Sequence, residues 1–181
     1  MDNFSTDPPA SKSDEVQGRK NESTKSSQSL IRYAHGSEIL TQLNSGQLLV
    51  VDSHQRSGLI LYKRFHTEFA GPGAAVGGFF DIDCQRTVPV GNLSLVYPET
   101  HEARQKAFWT RRHWIRLMEQ LTEKSGPLQR AQMLLTQFEY YFDPETVAQL
   151  QDETLAGLVG VLPQTLRMVR QSLKKPAVVR A

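Results

Sequence analysis

Residues 155–173, LAGLVGVLPQTLRMVRQSL, carry two short apolar patterns of helical period separated by a glycine, Gly160. Ala156 is small, Gly160 follows four residues on, Val161 is apolar, and Leu166 and Val169 recur at helical spacing. Two helices that cross steeply need a small residue where they touch, a glycine where the backbone turns, and apolar positions that lock the second helix on the first. The stretch therefore predicts a helix, a turn at Gly160 and a second helix opening at Pro163, whose missing N–H costs nothing in a first turn. Asp152 is the expected N-cap of the first helix. Ala156, Gly160, Val161, Leu166 and Val169 are the expected packing residues, which leaves Gln164, Thr165, Arg167, Met168 and Arg170, with Lys174 and Lys175 beyond them, for the outer face. A helix lying in the major groove of DNA presents residues at these spacings.

Upstream, the apolar period stays helical. Pro127 suits the first turn of a helix whose buried face is Leu128, Ala131, Leu134, Leu135 and Phe138, closed by Tyr140, Tyr141 and Phe142; a short helix follows Asp143 and Pro144. Before Gly126, residues 99–125 contain neither Pro nor Gly, and Ala107, Thr110, Trp114, Leu117 and Leu121 fall three and four apart. That seam fits a long connecting helix with two uses, packing on its own β-domain or pairing with a second copy through Ala107, Trp114, Leu117 and Leu121.

Residues 46–98 change character. QLLVVD, GLILYKRFH, GGFFDID, RTVPV and NLSLVYP predict about five strands, with HQRSG and AGPGAAVGG as turns or loops. Gly71, Gly73, Gly77 and Gly78 do not fit GxGxxG, and no GK[ST] follows, so this glycine-rich loop is not a phosphate cradle. Asp81 and Asp83 are expected in a solvated turn. A strand or extended stretch and a helical turn are expected over 29–43. Residues 1–28 are polar with almost nothing apolar, and a disordered tail is expected there. The expected class is α+β: tail 1–28, a small β-rich sensor or interaction domain over 29–98, a connecting helix over 99–125 and a helical domain over 126–181.

Composition excludes several function classes. One cysteine, Cys84, permits neither an internal disulfide nor a cysteine zinc cluster. The five histidines show no HExxH spacing and no GxSxG elbow is present, so no enzyme, metal or cofactor is expected. No run reaches the length of a membrane span, and the polar start is not expected to act as a signal peptide, which makes the cytoplasm the default location. The net charge of +2 is unevenly spread, because residues 101–181 carry 12 basic and 8 acidic side chains. A positive C-terminal segment is compatible with a phosphate partner.

Residues 126–173 resemble the C-terminal helix-turn-helix domain of the cyclic-AMP receptor and fumarate-nitrate regulator family of bacterial transcription factors. The long helix and the β-rich region before it stand where that family has its dimer helix and its sensor β-roll. The resemblance implies a homodimeric, double-stranded-DNA-binding regulator without a bound cofactor, since the β region lacks the family's nucleotide-pocket pattern. Lys174 and Lys175 would then supply phosphate contacts, with Gln164, Arg167 and Met168 setting specificity. Pro163 and Met168 leave open a protein-interaction adaptor that keeps the shape without reading bases. A β-domain that binds a protein partner or a small ligand is compatible with either.

Overall fold

The computed structural model describes residues 30–32, 36–124 and 126–174; the tail expected over 1–28 lies outside them, as does Lys175. The class is α+β. The order is β1 (Leu30–Arg32), α1 (Gly36–Asn44), β2 (Leu48–Val51), β3 (Gly58–Tyr62), β4 (Thr67–Ala70), β5 (Ala75–Gly77), β6 (Arg86–Val90), β7 (Ser94–Val96), α2 (His101–Thr122), α3 (Pro127–Tyr141), α4 (Pro144–Gln149), α5 (Asp152–Val159) and α6 (Pro163–Lys174). The strands form two antiparallel sheets, one ordered β1-β7-β2-β5 and the other β4-β3-β6. Pro89, opposite Leu59, is tolerated because β6 is an edge strand and no neighbour needs the missing N–H.

Three strand assignments differ from the expected ones. GLILYKRFH is not one strand: β3 stops at Tyr62, the chain reverses with the Lys63 amide donating to the His66 carbonyl at 2.9 Å, and β4 pairs back on β3. GGFFDID is not a strand: Gly77 ends β5 with φ 80°, and Gly78, with φ 63°, opens a 3-10 turn over Gly78–Phe80 that takes the chain out of the sheet. The loop AGPGAAVGG hides β5, three small buried residues too few to show a period of two.

α2 begins where expected, with the Thr100 hydroxyl accepting the Ala103 amide at 3.1 Å. Its inward stripe is Ala107, Arg111, Trp114, Met118 and Leu121. Ala107, Trp114 and Leu121, the residues proposed for pairing with a second copy, are thus buried in the chain's own core, and Leu117 packs half-buried against it. The difference from the expected seam is a one-residue rotation, with Arg111 and Met118 taking the inner places assigned to Thr110 and Leu117.

Phe69 on β4 joins the layers. Its ring lies 5.3 Å from Trp114 of α2, 5.0 Å from Phe138 of α3 and 5.7 Å from Phe142. Gly71 lies beneath Trp114, where a Cβ would come within 2.3 Å of the indole. One apolar cluster consequently runs from Leu49 and Ile60 in the sheets through Trp114 to Leu155 and Leu166 in the last helices. The boundary expected near residue 126 is not a break in the core.

Candidate nucleic-acid interface

The α5–α6 pair is built as its sequence suggests. Gly160 ends α5 with φ 59° and ψ 48°, and both its amide and that of Val161, the latter at 3.1 Å, return to the Ala156 carbonyl. This left-handed closure satisfies a carbonyl that the helix end would leave open. A Cβ at Gly160 would meet nothing within 4 Å, so the glycine is required by its φ and not by crowding. Arg130 of α3 ties the turn down, donating to the Gly160 carbonyl at 3.1 Å and to the Lys124 carbonyl at 2.9 Å. Ala156, Leu166 and Val169 are buried between the helices, and Val161 packs half-buried against them.

Gln164, Arg167 and Met168 lie on the open face of α6, with Gln171 and Ser172 continuing it; Thr165 is half-buried. The Lys174 side chain, like Lys175, is outside what the structure describes. Arg170 differs from the expectation. Its guanidinium donates to the carbonyls of Leu150 at 2.8 Å, Val147 at 3.2 Å and Ala148 at 3.3 Å, closing the C-terminal end of α4. Arg170 is a strut between α4 and α6 because it falls four residues from buried Leu166 and beside Val169, on the inward half of the helix.

Asp152 is not the N-cap. Gln151 holds that place without a side-chain bond, and Asp152, one residue inside α5, forms ion pairs with Arg170 Nε at 3.1 Å and Arg167 Nε at 3.5 Å. Arg167 stays well exposed, with a side chain 59% accessible against 18% for Arg170. Of the two arginines expected on the outer face, one is free to leave its partner for a phosphate or a base.

A second constellation was illegible in the sequence. Arg111 of α2 reaches the sheets, where its guanidinium donates to the Ala75 carbonyl at 2.9 Å and pairs with Asp81 at 3.1 Å and with Glu68. Lys63 adds a pair to Asp81 at 3.2 Å and a bond to the Phe80 carbonyl. Asp81, expected in a solvated turn, is instead fully buried and also accepts the Gly77 amide at 2.7 Å. Asp83 does stay exposed at the surface. Burial by itself disfavours the charged forms of both Glu68 and Arg111. For Glu68 the Arg111 charge and hydrogen bond, with the His66 hydrogen bond and the Lys63 charge, together outweigh this and hold its carboxyl below the usual carboxylate range, while Asp81 and then Glu68 hold the Arg111 guanidinium above its ordinary value. Burial pushes the Cys84 thiol up, which leaves it an inert apolar group.

Among the described residues no group of three or more His, Cys, Asp or Glu side chains is placed to hold a metal ion, and no helix is long and apolar enough to cross a membrane. Comparison of the chain with family models, with curated proteins and with solved structures gave no match.

Proposed function

We propose that α5 and α6 form a helix-turn-helix whose second helix docks in the major groove of duplex DNA, and that the chain is a cytoplasmic DNA-binding transcriptional regulator. One observation carries the reading: α6 buries Leu166 and Val169 against α5 while its opposite face leaves Gln164, Arg167, Met168 and Gln171 open. These side chains match what base edges offer. Amides pair with adenine, a guanidinium with guanine, and an apolar side chain rests against the thymine methyl group. The turn at Gly160 and the anchor at Arg130 hold the helix in a fixed pose. The order of parts, β-rich region, long helix and helical pair, agrees with the cyclic-AMP receptor and fumarate-nitrate regulator family.

Reading two half-sites about 34 Å apart takes two copies, so the working form in this proposal is a homodimer. Its contact surface excludes Ala107, Trp114 and Leu121, which lie inside the chain.

Fluorescence anisotropy of the full chain against a diverse pool of labelled duplexes at low salt tests the reading. Saturable binding that weakens with salt and that Arg167→Ala reduces supports it. Absence of binding removes it in favour of the protein-interaction adaptor. The engagement of Arg167 and Arg170 by Asp152 favours that second reading, because it lowers the positive charge of this face.

A further inference from the structure

Between α2 and the two sheets lies a cavity of about 210 Å³ whose apolar wall is Phe80, Phe108 and Ile115. The rings of Phe80 and Phe108 stand 5.3 Å apart, and Phe80 is 64% exposed, so the cavity meets solvent at this aromatic pair. The space equals about seven water molecules at their share of liquid volume, room for one ring with a short side arm. Apolar walls with a few polar groups placed among them are what small-molecule sites are made of.

The charged side chains of the lining do not balance. Lys63 and Arg111 are matched by Glu68 and Asp81, each cation pairing with both carboxylates, and all four side chains are largely closed to solvent. Arg112 is the remaining member of the lining, and it is exposed. Among the described residues no carboxylate lies within ion-pair distance of it and no acceptor takes its side-chain N–H groups. Its guanidinium carbon lies over the Trp109 ring, 5.1 Å from the centroid; the ring attracts the charge and supplies no oxygen to the N–H donors. Asp83, 3.9 Å from Lys63, is exposed and outside the lining. Three cations therefore face two carboxylates, and the excess charge sits on the one that water reaches.

That imbalance sets the charge and the orientation of a ligand. A cation meets an excess of its own sign, and a neutral molecule leaves Arg112 unmatched. A doubly charged anion brings one charge that nothing here neutralises. A single carboxylate set against Arg112 matches the excess, and at this exposed side chain it keeps part of its hydration and escapes the cost of full burial. Carried inward it would approach the carboxylates of Glu68 and Asp81, so the apolar end of the ligand is the end that enters.

We propose that this cavity binds a small organic monocarboxylate whose aromatic or aliphatic body lies against Phe80, Phe108 and Ile115 and whose carboxylate pairs with Arg112 at the solvent-facing rim. The proposal is independent of whether α6 binds DNA.

Calorimetric titration of the full-length protein, with the Ile115 methyl groups followed by NMR to place the ligand, decides it. Phenylacetate is the probe. Phenethyl alcohol keeps the body and loses the charge, phenethylamine reverses the charge, and acetate keeps the charge and loses the body. Phenylacetate is expected to bind saturably and to shift the Ile115 methyl signals, with phenethyl alcohol at least about tenfold weaker, the worth of one charge-assisted bond, and the amine and acetate weaker still. Arg112→Gln, at an exposed position, should fold as the parent does and bring phenylacetate down to the affinity of the alcohol, whose own binding stays unchanged. Phe80→Ala should weaken acid and alcohol alike. The comparison of acid with alcohol on the parent protein needs no variant, so it remains decisive if either substitution disturbs folding. Absence of saturable phenylacetate binding overturns the proposal. So do equal affinities for the acid and the alcohol, Ile115 signals that do not move, or a folded Arg112→Gln protein that binds the acid as tightly as the parent.

Discussion

Arg167 and Arg170 stand three residues apart on one helix and should respond oppositely to truncation. Arg170→Ala removes donors to three carbonyls at the end of α4: a full-strength bond to Leu150 at 2.8 Å and longer ones to Val147 and Ala148 at 3.2 and 3.3 Å. A hydrogen bond from a charged group contributes about 1.5–3 kcal/mol net, and water reaching the opened carbonyls returns part of the loss. The ion pair with Asp152, at 3.1 Å and partly screened, adds under about 1 kcal/mol. The expected cost is about 2–3 kcal/mol, which for a chain of this length lowers Tm by roughly 4–12 °C. Arg167→Ala gives up one exposed 3.5 Å contact and should move stability by no more than about 0.5 kcal/mol.

The assay pairs urea and thermal unfolding with duplex binding measured at a temperature where each variant remains folded. Arg170→Ala should lose stability and keep most of its affinity; Arg167→Ala should keep its stability and lose affinity and discrimination, by roughly 1–3 kcal/mol if it pairs with guanine. Lysine at position 170 should rescue little, since a point charge does not span three carbonyls. If Arg170→Ala melts within about 1 °C of the parent, against the several degrees expected from its bonds, the strut assignment is wrong.

Trp114→Ala should cost about 3–5 kcal/mol, and charged residues at Trp114 or Leu121 should prevent folding instead of yielding a folded monomer; circular dichroism and size-exclusion chromatography check this. Gly71→Ala should be nearly as damaging, because the new methyl group meets the indole. Gly160→Val should cost about 1–2 kcal/mol or more through its left-handed φ, whereas Gly160→Asn should cost under about 1 kcal/mol; equal losses in urea unfolding would show that backbone conformation is not the cause. The folded-state pKa of Glu68 lies below its unfolded value, so its stabilising contribution is complete above the unfolded pKa and disappears as pH falls through the folded one. Unfolding curves of Glu68→Gln should therefore lie about 1.5–3 kcal/mol below the parent at pH 7 and converge with it as pH drops below about 4, where the unfolded carboxyl takes up its proton.

Long helical periods were legible because they are local. Pro127, Asp143 with Pro144, and Gly160 with Pro163 mark helix ends by their own backbone preferences, and the structure uses each where the sequence placed it. The inner face of α2 was misjudged by one position because Arg111 is charged and was left outside the stripe, although it points inward to Glu68 and Asp81, each from a different loop or strand. Nothing within thirty residues of Arg111 signals those partners. β5 and the turn at Phe79 were exchanged for a related reason. Small residues beside glycine look like loop, while paired phenylalanines look like strand; the chain leaves the sheet at Gly77, the last residue of β5, and turns at Gly78, both with positive φ. The open face of α6 was legible from its apolar positions and not in its charges, since Arg170 is claimed by carbonyls twenty or more residues away.

The ring of Phe69 gives the chain a property that its linear order conceals. Phe138 and Phe142, which end the first helix of the C-terminal region, lean on a strand from the opposite half of the molecule, and Gly157 of α5 sits so near Thr67 that an added Cβ would approach its hydroxyl to 3.1 Å. Cut at Gly126, the C-terminal piece would carry away helices with a bare aromatic flank, and the β-rich piece would keep Phe69 with Trp114 as its one remaining aromatic neighbour. The last four helices are therefore not a transferable cassette, and a fusion or swap intended to move them to another protein has to take β4 and α2 along.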